Sequence, residues 1–196
     1  MVDLTDKLVT IIGGGKIAFR KYVSLKQYCN NIQIVSSKFN DDFINVKNHP
    51  DESVKFIIDE YGDEYIIDSY LVISATDSID KNNIIARDCK KNHVFCNVVN
   101  HAQDGDFIFP SVMRRGELVI SVSSSGNSPS LSAEIIKKFE EQFDEDYGEY
   151  VSLLGRIRKK ILQEKIKPEQ KKVILNKLVD MTFEQLKDYN QQNYNI

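Results

Sequence analysis

The sequence predicts an α/β protein: a parallel sheet covered by helices on both faces, then a short strand region and a helical tail. Three observations carry this. Short runs rich in Val and Ile recur through the first half, separated by polar or helical segments. The first of them leads through a glycine cluster into a helical pattern. After Pro110 the texture changes to an alternating strand followed by helical periodicity. Strands that alternate with helices form parallel sheets buried on both faces, joined by right-handed crossovers.

In chain order, "LVTII" (8–12) reads as a buried strand, and a helix is predicted from about Lys16 to Tyr28. "IQIV" (32–35), "VKFII" (54–58), "LVIS" (71–74) and "HVFCNVV" (93–99) read as further strands. "DKNNIIARDCKKN" reads as a helix with Ile84, Ile85 and Cys89 inward. The strand "GELVISVSSSG" (116–126) runs into a helix with Ser128 as N-cap and Pro129 at its first position. "EYVSLLGRIRKKILQE" carries Val151, Leu154, Ile157 and Ile161 at helical spacing. Pro168 opens the next helix, and Thr182 with Gln185 forms a capping-box pattern before the last. The tail "NQQNYNI" is expected to fray. The pattern gives two parts, an α/β domain to about residue 112 and then one or two strands with a helical tail. A strand and one long helix bury little alone, so the second part is expected to pack on another copy.

The length of 196 residues suits one α/β domain with a smaller appendage. A net charge of −3 gives no footprint for nucleic acid or an anionic membrane. No apolar run approaches the ~20 residues of a membrane span, and the start lacks the regions of a signal peptide. Cys29, Cys89 and Cys96 are odd in number and outside any CxxC pair, which predicts a reduced, cytoplasmic protein with free thiols. Cys96, inside an apolar run, reads as a small buried hydrophobe. His49, His93 and His101 are scattered, so no metal site is expected.

"IIGGGKIAFRK" is strand, glycines, helix. Gly13, Gly15 and Ala18 fit G-x-G-x-x-[GA]. That pattern needs a tight turn at the first position, no side chain where pyrophosphate approaches, and a small residue for helix–strand packing. The helix N-terminus then offers free N–H groups to phosphate. The expectation is a Rossmann-type dinucleotide site. The second strand ends in Ser36, Ser37 and Lys38, where an acid normally holds the adenosine ribose. Hydroxyls can bond a ribose, and Lys38 can attract a 2′-phosphate, so these residues alone leave NAD and NADP both open. Ala75 and Thr76, at the end of "LVISAT", are small enough to let a cofactor lie close; Asp77 reads equally as a cap for the next helix.

"IIGGGKIAFRK", "SATDSIDKNN", "FCNVVNHAQDGDFIFPS" and "RGELVISVSSSGNSPSLSAEI", in this order and spacing, resemble the precorrin-2 dehydrogenase / sirohydrochlorin ferrochelatase family, the siroheme synthase module. The resemblance spans roughly residues 3 to 140. It implies NAD as cofactor, precorrin-2 as substrate, sirohydrochlorin as product and an intertwined homodimer, with a Rossmann domain (1–112), a dimerisation region (113–145) and a helical C-terminal domain (146–196). Some members also insert iron. It places Gly13, Gly14, Gly15, Lys16 and Ile17 in the cofactor turn, Ser36 to Phe39 on the ribose side, and Ser124 close to the active site. Asn100 stands where the family usually has an aspartate credited with acid–base and metal roles. An amide can bond substrate but takes no proton at neutral pH, and it is a poor transition-metal ligand. Dehydrogenation without efficient iron insertion is therefore favoured; a bifunctional enzyme that also inserts iron and a non-catalytic NAD-sensing module are the alternatives. His101, Asp104 and Asp106 are nearby groups for the proton, and release to water is the alternative. The implied carboxylate-rich substrate calls for cations, for which Arg114 and Arg115 are candidates. Ser125 and Ser128 can bond its carboxylates or serve only as turn and cap.

Overall fold

A computed structural model describes residues 2–47, 53–99 and 104–194, and the chain divides into two compact units, Met1–Ile108 and Phe109–Ile196. The predicted strands form in the first unit: β1 (Val9–Ile12), β2 (Ile32–Val35), β3 (Val54–Ile57), β4 (Leu71–Ser74) and β5 (Phe95–Val98). They pair in parallel in the order β3-β2-β1-β4-β5. The chain starts at the centre, winds outward to β3, then returns past β1 to β4. Strand order thus reverses between β1 and β4, where open α/β sheets place their ligands.

Both faces are covered, as continuous Val/Ile runs require. On one face Ile12, Val35, Val72, Cys96 and Val98 pack with Ile85 and Cys89 of α3 (Ile79–Lys91). The opposite face meets α1 (Lys16–Lys26) and α2 (Asp41–Lys47), where Phe19, Tyr22, Phe39, Phe43 and Phe56 form a web of ring contacts. The sequence reading missed α2, whose only buried residue is Phe43. It also set Ile84 inward, yet Ile84 is 43% exposed and Ile85 fully buried. Adjacent helical residues point about 100° apart, so the i, i+4 pair Ile85/Cys89 takes the core.

The β3–β4 connection carries a 3₁₀ turn (Asp63–Tyr65) in place of a crossover helix. A polar network ties it to the sheet. Gln33 Nε2 donates to Tyr65 O (2.6 Å) and Thr10 Oγ1 (2.8 Å), and the Thr10 and Ser69 hydroxyls bond at 2.6 Å. These partners explain polar side chains inside an otherwise apolar sheet.

The second unit opens with an antiparallel hairpin, β6 (Ser111–Arg115) and β7 (Leu118–Val122). The chain reverses at Gly116, in the left-handed region at φ +54. Helices α4 (Pro129–Gln142), α5 (Tyr147–Gln163), α6 (Pro168–Val179) and α7 (Phe183–Asn193) follow. Ser128 caps α4 through Leu131 N, Pro168 stands at the start of α6, and Thr182 with Gln185 forms the predicted capping box. Tyr150, Leu153, Ile157, Ile161, Leu178 and Leu186 make the core; Val151 and Leu154, read as inward, flank it. Of the tail expected to fray, residues 195–196 lie outside the described residues, and the part before them is ordered. The helix continues to Asn193, because Asn190 is buried and the Tyr194 hydroxyl bonds Glu164. No described helix is long and apolar enough to cross a membrane.

Candidate functional site

A cleft of about 350 Å³ opens at the carboxyl ends of β1 to β4. Its walls are the glycine turn, the Ser36–Asn40 segment after β2, Asp59–Tyr61 after β3, and Ala75–Asp77 with Lys81 after β4. The structure therefore brings Gly13, Gly14, Gly15, Ser36, Ser37, Lys38, Ala75 and Thr76 together around one space. Lys16 and Ile17 form the exposed first turn of α1 directly behind it.

The three glycines differ in what demands them. Gly13 sits at φ +131, and a Cβ there would lie 2.3 Å from Ala75 O. A Cβ on Gly14 would lie 2.1 Å from Lys38 O. Asn40 N also donates to Gly14 O (2.9 Å), so the post-β2 segment is sewn to the turn. Around Gly15 the position of a Cβ meets no atom within 4 Å. Protein packing thus requires the first two glycines, and only open space faces the third. Gly15 is also the N-cap of α1, with no side-chain cap and no acid in the first turn. Its unpaired N–H groups and positive dipole end face a space free of side chains, which fits a pyrophosphate.

The β4 wall is held by one side chain. Asn82, 1% exposed on α3, accepts from Thr76 Oγ1 (2.7 Å), Ser74 Oγ (2.9 Å) and Thr76 N (3.1 Å), and its Nδ2 donates to Thr76 O (3.2 Å). The cap of α3 is Ser78, which accepts from Lys81 N, rather than Asp77; Asp77 lines the cleft instead. On the β2 side, Ser36 Oγ donates to Lys38 O (2.7 Å), which commits that hydroxyl hydrogen to the turn. Beside it Asp59 N donates to Ser36 O (3.2 Å). The Asp59 carboxylate accepts from Tyr65 Oη (2.6 Å) and Glu60 N (2.8 Å), and these bonds hold its pKa below the usual value. Asp59, Glu60, Asn82 and Lys81 escaped the sequence reading. The signal for the acids was their place two and three residues past the third strand, at the edge where parallel strands deliver all their carboxyl ends.

The family model described as "Putative NAD(P)-binding" matches residues 1–111. The chain belongs to this NAD(P)-binding family. "Siroheme synthase 2" of Pectobacterium atrosepticum is 30% identical over 159 residues, covering 81% of this chain and 34% of that protein. "Siroheme synthase" of Pseudoalteromonas translucida is 30% identical over 160 residues, covering 82% and 33%. The chain thus spans about a third of the length of the curated relatives it matches. The solved structure "SirC, precorrin-2 dehydrogenase" aligns at TM-score 0.77 and 22% identity over 98% of this chain and 96% of that one, a likeness of fold. The resemblance read from the motif series is borne out by these siroheme relatives, and the Rossmann-type architecture by the fold.

Asn100 and His101 lie outside the described residues. The residues on either side of them are fixed. Val99 N donates to Ser74 O (3.1 Å). Asp106 N donates to Cys96 O (2.8 Å), Cys96 N donates to Asp106 Oδ2 (2.9 Å), and Asn97 Nδ2 donates to Phe107 O (2.9 Å). A Cβ on Gly105 would lie 2.9 Å from Cys96 O, so only glycine lets the returning chain lie this close to β5. Asp106 therefore covers the edge strand and fixes where the segment re-enters.

In the second unit, Arg114 is exposed on β6. Arg115 turns inward: Nε donates to Phe143 O (2.9 Å) and Asp144 O (3.0 Å), and Nη1 lies 3.3 Å from Glu145. Ser124 Oγ accepts from Ser128 N (2.9 Å), and Ser125 stands at φ +53 with its side chain exposed. These bonds shape the turn into α4.

Proposed function

We propose that the chain is an NAD-dependent precorrin-2 dehydrogenase that yields sirohydrochlorin in siroheme biosynthesis. The observation that carries this is the open space over Gly15 at the N-terminus of α1, in a chain whose motif series runs in parallel with siroheme synthases over four-fifths of its length. When bound there, NAD supplies the hydride acceptor. The chain's own groups do the rest. Gly14, Gly15 and the first turn of α1 hold the pyrophosphate. Ser36, Ser37 and Lys38 face the adenosine half, and Ala75 and Thr76, fixed by Asn82, flank the other. Asn100 and Ser124 bond the tetrapyrrole, and Arg114 pairs with its carboxylates. The proton released with the hydride passes to His101 or to water. Arg115, whose guanidinium is spent on the α4 end, serves the fold more than the substrate.

Three further assignments belong to the same reading. The chain divides functionally into 1–112, 113–145 and 146–196. It works in the cytoplasm, in keeping with three free cysteines. It forms a homodimer through the second unit, whose described residues build a two-stranded sheet, so its outer ladder edges can pair with another chain. Light scattering at several concentrations tests the dimer. Incubation of the protein with precorrin-2 and NAD should give NADH and the sirohydrochlorin spectrum together; the absence of both sinks the proposal. Iron insertion is the second activity to assay, and if residue 100 limits it, Asn100→Asp raises the rate.

A further inference from the structure

In a nucleotide-binding parallel sheet, an acid at the end of the second strand ordinarily holds the adenosine ribose and repels a 2′-phosphate. Here β2 ends in Ser36, Ser37 and Lys38, and that acid is missing. A parallel sheet offers one substitute nearby, since the carboxyl end of the neighbouring strand lies about 4.8 Å away. That neighbour is β3, paired with β2 through Val35 and Ile57. Asp59 follows it, and its N–H closes on Ser36 O (3.2 Å).

Resting on the dinucleotide reading above, we infer that Asp59 supplies from β3 the acid that β2 lacks, and that it makes the cleft select NAD over its 2′-phosphorylated form. Asp59 lines the cleft, and its carboxylate is held by Tyr65 Oη on one oxygen and Glu60 N on the other. Each oxygen keeps a lone pair for a ribose hydroxyl. The same hydrogen bonds, Tyr65 first, hold its pKa below the usual carboxylate value. Glu60 lines the same wall and adds a second negative charge. Ser36 Oγ, whose hydrogen points to Lys38 O, has no donor to offer a phosphate. Lys38 pulls in the opposite sense from the β2 wall, and Lys81 belongs to the α3 side. The cleft is open to water, which screens these charges, so the selection is a ratio of affinities and not an exclusion.

Calorimetric titration of the full chain with NAD⁺ and NADP⁺ decides it. NAD⁺ should bind at least about tenfold more tightly. Asp59→Asn should shrink that ratio by at least about fivefold, mainly through tighter NADP⁺ binding, and Asp59→Glu should restore it. Tyr65→Phe, which leaves the charge in place, should keep the preference for NAD⁺. A wild-type preference for NADP⁺ overturns the inference, as does an unchanged ratio in an Asp59→Asn protein that still binds NAD⁺. Binding of neither dinucleotide by the wild type overturns the cofactor reading and takes the role of Asp59 with it.

Discussion

Gly14 and Gly15 are neighbours in one motif, but physics assigns them to different tasks. Gly14 is needed by the protein, because Lys38 O occupies the place of its Cβ. Gly15 is needed only by what fills the space above it. Gly14→Ala should therefore lower stability by about 1–3 kcal/mol, the usual range for overpacking. Gly15→Ala should cost at most about 1 kcal/mol, the size of an N-cap change, while weakening NAD by at least about tenfold. Thermal melts with and without NAD separate the two. A Gly15→Ala protein that keeps full affinity would remove the ligand from this space. The sequence identified the motif but could not divide its labour, since the atoms that crowd Gly13 and Gly14 belong to Ala75 and Lys38, remote in the chain. The acids were hidden for the same reason. Asp59 matters through its hydrogen bond to Ser36, a contact that exists only once β3 lies beside β2.

Elements whose cause is local were legible before the structure, and elements whose cause is a distant partner were not. All five parallel strands follow from runs of Val and Ile, and the starts of α4, α6 and α7 follow from Ser128, Pro168 and Thr182. β6 was overlooked because "SVMRR" carries two charges and one large apolar residue, Met113, that faces inward. Its inner arginine is explained by the end of α4. The Arg115 side chain is 13% exposed and donates to Phe143 O and Asp144 O at the end of α4 and to Arg114 O, while its ionic partner Glu145 is 87% exposed. The two contacts should carry unequal weight. Arg115→Ala leaves carbonyls and packing unsatisfied and should cost about 1–3 kcal/mol. Glu145→Gln removes an exposed charge and should cost under about 1 kcal/mol. Urea denaturation of the two variants gives the comparison, and equal losses would show that the ion pair, not the carbonyl clamp, holds the hairpin to α4.

For the whole molecule, the division of labour follows the two units. Every residue that lines the cleft lies between Ile12 and Lys81, inside the first unit. That unit also has its own core around Val35, Val72 and Ile85, distinct from the Tyr150–Leu186 core of the second. Ser124 and Arg114, proposed to meet the tetrapyrrole, lie in the second unit. Cofactor binding should therefore be separable from chemistry. A protein trimmed to residues 1–108 should bind NAD within about threefold of the full chain, a difference of under about 1 kcal/mol, yet should not convert precorrin-2. Adding NAD at about a hundred times its dissociation constant should stabilise the trimmed protein by roughly 2.7 kcal/mol, as mass action requires. Circular dichroism establishes that it is folded, calorimetry gives the affinity, and the NADH signal with precorrin-2 gives the turnover. A folded fragment that ignores NAD would move the dinucleotide site out of the cleft. A fragment that turns over at the full rate would free Ser124 and Arg114 from any part in the reaction, and would place the tetrapyrrole wholly on the first unit.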